Sequence, residues 1–179
     1  MKRLFHLILV TGLAWPMMMA AQTTQWTRYQ PAGQDFSILF PGTPTVDPPS
    51  TENDSKGALQ STSYLYRING NGYFYGAVLT VYTFTPSSID GELAANQNNF
   101  IKALSGAVLN SSTRGNFVNG SETLPDLTFT FDVPQTNQYG KSIVILKGNR
   151  VYMWVAMIAK NTMDASLIDT FVNSFQFVK

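Results

Sequence analysis

The chain has 179 residues, no cysteine, one histidine and a formal net charge of +1. That length suggests one domain, and the missing cysteine excludes disulfides and thiol chemistry. Twelve basic residues stand against eleven acidic ones with no Lys or Arg cluster, so an electrostatic footprint for nucleic acid or an anionic membrane is absent.

The chain opens on Met1-Lys2-Arg3, then the apolar run LFHLILVTGLAWPMMM, then the small and polar AAQTTQ. That order is the grammar of a secretory signal peptide. Residues 1–22 are expected to be removed, with cleavage after Ala20, Ala21 or Gln22, although Met18 or Met19 falls where a small residue is preferred. The alternative is a permanent anchor. Against it, the run is shorter than the ~20 residues of a spanning helix, and Pro16 interrupts it. No cysteine near the cut means no lipoprotein anchor. Taking Lys2 and Arg3 from the twelve basic residues leaves ten against eleven acidic ones, a net charge of −1 for residues 23–179. The predicted location is periplasmic or secreted in a bacterium, with no stable membrane insertion after cleavage.

His6, the one histidine, lies inside this leader. The remaining domain therefore lacks both His and Cys. Ser-His-Asp and Cys-His catalysis, histidine acid–base chemistry and ordinary zinc sites are excluded. Carboxylate, lysine, tyrosine and arginine chemistry remains. No cofactor and no metal is expected.

TTQWTRYQ is a short lead-in with Trp26 and Tyr29 as packing anchors. A turn over Gly33–Asp35 precedes FSILF, a strand with Phe36, Ile38 and Phe40 on one face. Pro41-Gly42 ends it. Residues 43–57, with three prolines among small polar side chains, read as an irregular, mobile loop. Two strand-like runs follow, Leu59 to Ile68 and Tyr73 to Phe84, around the turn residues NGNG. With Gly70-Asn71 as the loop, Tyr66 faces Tyr75 and Ile68 faces Tyr73. GNGYFYG is not a phosphate loop, because the glycine spacing differs from G-x-G-x-x-G and a strand follows where a helix should start.

Ser87 or Ser88 is placed to cap a helix over Ile89 to Ser105, with Leu93, Phe100, Ile101 and Leu104 as its apolar stripe and Gly106 as its stop. Val108 to Val118 reads as a polar strand. SETLPD reads as a loop into the strand LTFTFDV, in which Leu127, Phe129, Phe131 and Val133 share a face. Lys141 to Lys147 and Arg150 to Ala159 form a hairpin around Gly148-Asn149. Its register pairs Leu146 with Val151 and Ile143 with Trp154. Both of its faces are apolar, so both need cover. A last helix starting within residues 161–164 carries Leu167, Ile168 and Phe171. The elements predict an α+β fold: a twisted antiparallel sheet of about six to eight strands flanked by helices, as an α/β/α sandwich. Residues 23–179 form this single domain.

The order of these elements, with FSILFPGTP after an aromatic lead-in, a helix after a Tyr-rich strand, then GNRVYMWVAM and finally DTFVNSFQF, resembles the PsbP-like family. That fold is shared by the extrinsic P protein of photosystem II and a Ran-binding protein of the Mog type. The resemblance spans nearly all of residues 26–179 and rests on structural motifs. It implies a central antiparallel sheet between helices, and a binding, assembly or accessory role more than catalysis. It carries over no functional residue.

Tyr64, Tyr66, Tyr73 and Tyr75 share one face of the first hairpin. They form either a stacking surface for a sugar, peptide or flat ligand or a set of cross-strand structural pairs. Glu52, Asp54, Glu122, Asp126 and Asp132 are scattered, and nothing in the sequence pairs them for a glycosidase mechanism. Asp54 and Asp126 read as turn residues, and Asp132, inside a strand, should have a Lys or Arg partner. Asp47 and its neighbours lack calcium-loop spacing. Arg67, Arg114, Lys141 and Arg150 could present an anion site. Three Asn-X-Ser sequons mark exposed positions. The resulting expectation is an exported, non-enzymatic binding or accessory protein whose partner is a protein or a small molecule. Its rivals are a carboxylate-dependent hydrolase of envelope or extracellular polymer and a self-associating envelope component.

Overall fold

The structure, a computed structural model, describes residues 25–162 and 164–178. The expected signal peptide lies outside them. In chain order come β1 (Thr27–Tyr29), β2 (Phe36–Phe40), β3 (Thr45–Val46), β4 (Ser50–Asn53), β5 (Leu59–Gly70), β6 (Tyr73–Tyr82) and helix α1 (Ile89–Ala103). Then follow β7 (Val108–Asn119), β8 (Glu122–Val133), β9 (Gln138–Lys147), β10 (Arg150–Ala159), helix α2 (Ala165–Val172) and β11 (Gln176–Phe177).

Eight strands form one antiparallel sheet in the order β3-β5-β6-β10-β9-β8-β7, with β4 beside β3 on the same edge of β5. β10 lies at its centre, between β6 and β9. Every residue from Val151 to Ile158 is buried, which follows from a sequence apolar on both faces. On one side Tyr152, Trp154, Ala156 and Ile158 pack with α2 and the small sheet β1-β2-β11. On the other Val151, Met153, Val155 and Met157 pack with Leu93 of α1 and with Leu127, Phe129 and Phe131 of β8. The predicted α/β/α layering is the observed one. Phe36, Ile38 and Phe40 are all buried, and the β9–β10 register pairs Leu146 with Val151 and Ile143 with Trp154.

Ser88 caps α1: its Oγ accepts from the Gly91 amide at 3.0 Å, satisfying one of the free N–H groups at the helix start. Ser88→Ala is expected to cost about 1 kcal/mol, read as a lower urea midpoint at an unchanged slope.

Three expectations need correction. The first hairpin turns at Asn71-Gly72, so Ile68 faces Tyr75, Tyr66 faces Ala77 and Gly70 faces Tyr73. Gly72 takes the left-handed φ of +82°. Gly70 stays in the strand because the Tyr73 ring lies on it, and a Cβ there would meet that ring at 2.0 Å. Residues 43–57 hold two short strands: Thr45–Val46, between Pro44 and Pro48, and Ser50–Asn53, after Pro49, both pair with β5. Asp47 strengthens that seam: both its carboxylate oxygens accept from Arg67 Nε, at 3.1 and 2.9 Å. Finally, SETLPD is mostly strand. β8 starts at Glu122, the turn is Gly120-Ser121, and Pro125 faces Asn116. β8 meets β9 only from Asp126 onward, so Pro125 lies where β8 has one neighbour and a missing N–H leaves no second ladder broken.

Candidate functional site

The four tyrosines do share a face, because a register shift of two residues preserves the side each residue points to. That face is the one covered by the small sheet and α2. Tyr66 and Tyr75 are buried in its core, Tyr64 is half-buried, and Tyr73 is 36% exposed. Trp26 sets its ring edge-on to Tyr75 at 5.4 Å, and Phe171 of α2 closes from the other side at 5.1 Å. Tyr29 covers Tyr66 at 5.8 Å. Burial pushes the Tyr75 hydroxyl up to about 12 and raises Tyr66 as well.

The cations expected as an anion site lie on four different strands, each on its own carboxylate. Arg67 pairs with Asp47, Arg114 with Asp90, Lys141 with Asp169, and Arg150 with Asp35. The carboxylates are divided in the same way. Glu122 pairs with Lys147 at 2.7 Å, and Lys147 also lies 4.3 Å from the centre of the Phe177 ring. Asp132 has the cation partner expected of it, Lys160 at 2.9 Å. Asp54 is the expected turn residue, since its Oδ1 accepts from the Lys56 and Ala58 amides. Glu52 pairs through β4 with Ser61 of β5. Among the described residues no group of three metal-ligating side chains could hold an ion.

Asp126 differs from its expected role. It is a buried strand residue of β8 rather than a turn residue. Burial raises its carboxyl, and the nearby Arg114 guanidinium and the Gly115 amide partly offset that. Gly115 stands opposite it, and a Cβ there would come within 2.6 Å of its carboxylate. The alternation of Leu124, Asp126 and Thr128 with Pro125 and Leu127 was the available sequence signal. A raised carboxyl is a marker of functional sites, and Arg114, which donates to the Asp126 carbonyl, is shared with the Asp90 carboxylate.

A second feature was not read from the sequence. Where β6 ends and α1 begins, Leu59, Phe84 and Ile89 are 45%, 47% and 44% exposed. The segment carrying them is firmly held. Thr83 Oγ1 donates to the Leu59 carbonyl at 3.2 Å, and Asn149 Nδ2 donates to the Tyr82 carbonyl at 2.6 Å. The Phe84 ring stacks on Tyr82 at 5.2 Å, and the Tyr82 hydroxyl donates to Glu92 in the first turn of α1. Large apolar side chains held in place yet open to water mark surfaces that bind. The signal in the sequence was Phe84 itself, placed after the last paired strand residue and before Pro86.

A central antiparallel sheet with α1 on one face, and α2 with a small sheet on the other, defines the PsbP-like sandwich. Among solved structures, the chain is similar to cyanobacterial PsbP (CyanoP) from Synechocystis sp. PCC 6803, known from a solution structure. The TM-score is 0.56 and the identity 12%, over 90% of this chain and 98% of that one. The likeness is one of fold. No protein-family model and no curated protein matches the chain. No helix among the described residues is long and apolar enough to cross a membrane.

Proposed function

We propose that this chain is an exported accessory protein that docks on a partner protein through the apolar end formed by Leu59, Phe84 and Ile89. The observation that carries the reading is the exposure of these three side chains around a segment held at Tyr82 and Thr83 on one flank and by the Ser88 cap on the other. A rigid apolar anchor loses little conformational freedom on binding. The PsbP-like fold is in keeping with an accessory role, and the leader sequence with export.

The test is a photo-crosslinking residue at position 84 in intact cells, with one at Asn173, an exposed position beyond α2, as control. A discrete adduct is expected at position 84 only. Phe84→Asp should weaken the captured complex about tenfold, the loss of one modest anchor. Equal adducts at both positions, or none at 84, overturn the docking reading. Retention of an uncleaved chain in the cytoplasm overturns export. Turnover of a polysaccharide by the pure protein, abolished by Asp126→Asn, would instead establish the hydrolase.

The tyrosine set supports a second reading. Tyr73, 36% exposed beside Tyr75 at the turn end of the hairpin, leaves ring surface at the rim for a small flat ligand, while Tyr66 and Tyr75 stay inside and Tyr64 lies six residues further along β5. Quenching of Tyr73 by that ligand, lost in Tyr73→Ala, is its expected signature.

A further inference from the structure

The two edges of the large sheet are finished differently. The β5 edge is covered by β3 and β4, short strands separated by Asp47-Pro48-Pro49. Short strands and prolines are ordinary protections of an edge. The opposite edge is β7, twelve residues long and paired only with β8. Every residue from Val108 to Asn116 is exposed. β7 has no proline, and its one charge, Arg114, is engaged by Asp90. Its one interruption is an irregularity between Leu109 and Ser111, which leaves Ser111 to Asn119 as a regular open edge. Val118, at 64%, is the most exposed large apolar side chain among the described residues.

We propose that this edge pairs with the same edge of a second copy, joining the two sheets into one across a two-fold axis at Gly115. The composition of the regular stretch fits itself. Antiparallel pairing about its midpoint sets Thr113 opposite Phe117, Ser112 opposite Val118, and Arg114 opposite Asn116. A β-branched residue facing an aromatic one is a favourable cross-strand pair. No like charges stand directly opposite, the two Arg114 side chains, diagonal neighbours across the axis, are each paired with an Asp90, and Val118 gains a neighbour. Directly opposite residues lie on the same side of the joined sheet, and Thr113 with Phe117 and Ser112 with Val118 both satisfy that condition, since even-numbered residues of this stretch face α1 and odd-numbered ones the other layer. A two-fold axis needs one self-complementary surface, and β7 supplies it. The proposal is independent of the docking end.

The test is sedimentation of the full chain over a wide concentration range, with two charge variants. A concentration-dependent dimer is expected. Ser112→Lys with Val118→Lys places like charges opposite each other twice and should weaken the dimer at least tenfold. Ser112→Lys with Val118→Glu places opposite charges there and should restore it. Both positions are exposed, and unchanged circular dichroism separates loss of pairing from loss of fold. Because the chain lacks cysteine, Ser112→Cys with Val118→Cys should oxidise to a disulfide-linked dimer, while either single variant should not. A chain that stays monomeric at every concentration overturns the proposal. So does association equally strong in the Lys/Lys variant.

Discussion

Trp154→Ala is expected to remove about 3–5 kcal/mol of stability, the range for emptying a large buried aromatic site. Trp154 lies at the centre of β10, fully buried. Its ring stacks on Phe175 at 4.2 Å with 5° between the planes, and Phe117 of β7 meets it edge-on at 5.8 Å. Its Nε1–H donates to the Val172 carbonyl at 2.8 Å, at the end of α2. One side chain thus joins the central strand, the last helix and the edge strand. The Ala variant leaves a void and also an acceptor without its donor, and neither is offset by new contacts. Net stabilities of domains are about 5–15 kcal/mol, so about a fifth or more of the total is at stake. Urea unfolding followed by circular dichroism measures it. Trp154→Phe keeps a ring on Phe175 and loses the donor, so it should cost about 1–3 kcal/mol. A loss below 1 kcal/mol for the Ala variant would show that the layers close over the gap.

The second large effect is alkaline. Tyr66, Tyr75 and Tyr152 are buried, and each holds its proton more tightly folded than unfolded. For Tyr152 burial is the main cause, and the Asp35 carboxylate, which accepts from its hydroxyl at 2.8 and 3.0 Å, adds to it. Their contribution is fully present below the ordinary tyrosine value of 10.0. It is lost as pH rises toward the folded values, about 12 for Tyr75. Above pH 10 stability should fall by about 1.4 kcal/mol per pH unit for each tyrosine still protonated in the folded state. Tyr75→Phe and Tyr152→Phe should each flatten that limb, with Tyr152→Phe also releasing Asp35 from its hydroxyl partner. A wild-type limb no steeper than that of a variant carrying both Tyr75→Phe and Tyr152→Phe would show that lysines, rather than these phenols, govern it.

Tyr152 and Asp35 illustrate what sequence can and cannot supply. Tyr152 was legible as a core residue of a hairpin apolar on both faces. Asp35 was legible only as part of a turn. Their contact joins residues 117 positions apart, and no local pattern encodes it. The same holds for Lys160 and Asp132. A cation partner followed from an acid inside a strand, but which cation depended on how the chain returned after β10.

Local rules located β2, the long strands of the large sheet, the helix caps and the last hairpin's register because each depends on residues close in the chain: alternation, a Ser before an apolar stripe, a Gly-Asn turn. They failed where one side chain decides between near-equal turns. The Tyr73 ring over Gly70 moved the first hairpin's turn by one position, a choice that requires the packed face to exist. They failed again at residues 43–57, where three prolines read as a loop yet Thr45–Val46 and Ser50–Asn53, on either side of Pro48-Pro49, pair with β5.

From composition alone came the exclusions, no Cys chemistry in the chain and no histidine after His6, since those depend only on which atoms are present. Tertiary structure alone decided which features were surface and which were interior. It closed Tyr66 and Tyr75 beneath Trp26, Tyr29 and α2, and it left the β7 edge and the Leu59–Phe84–Ile89 end open to water. Burial is a property of what packs against a residue, and that partner is usually distant in sequence.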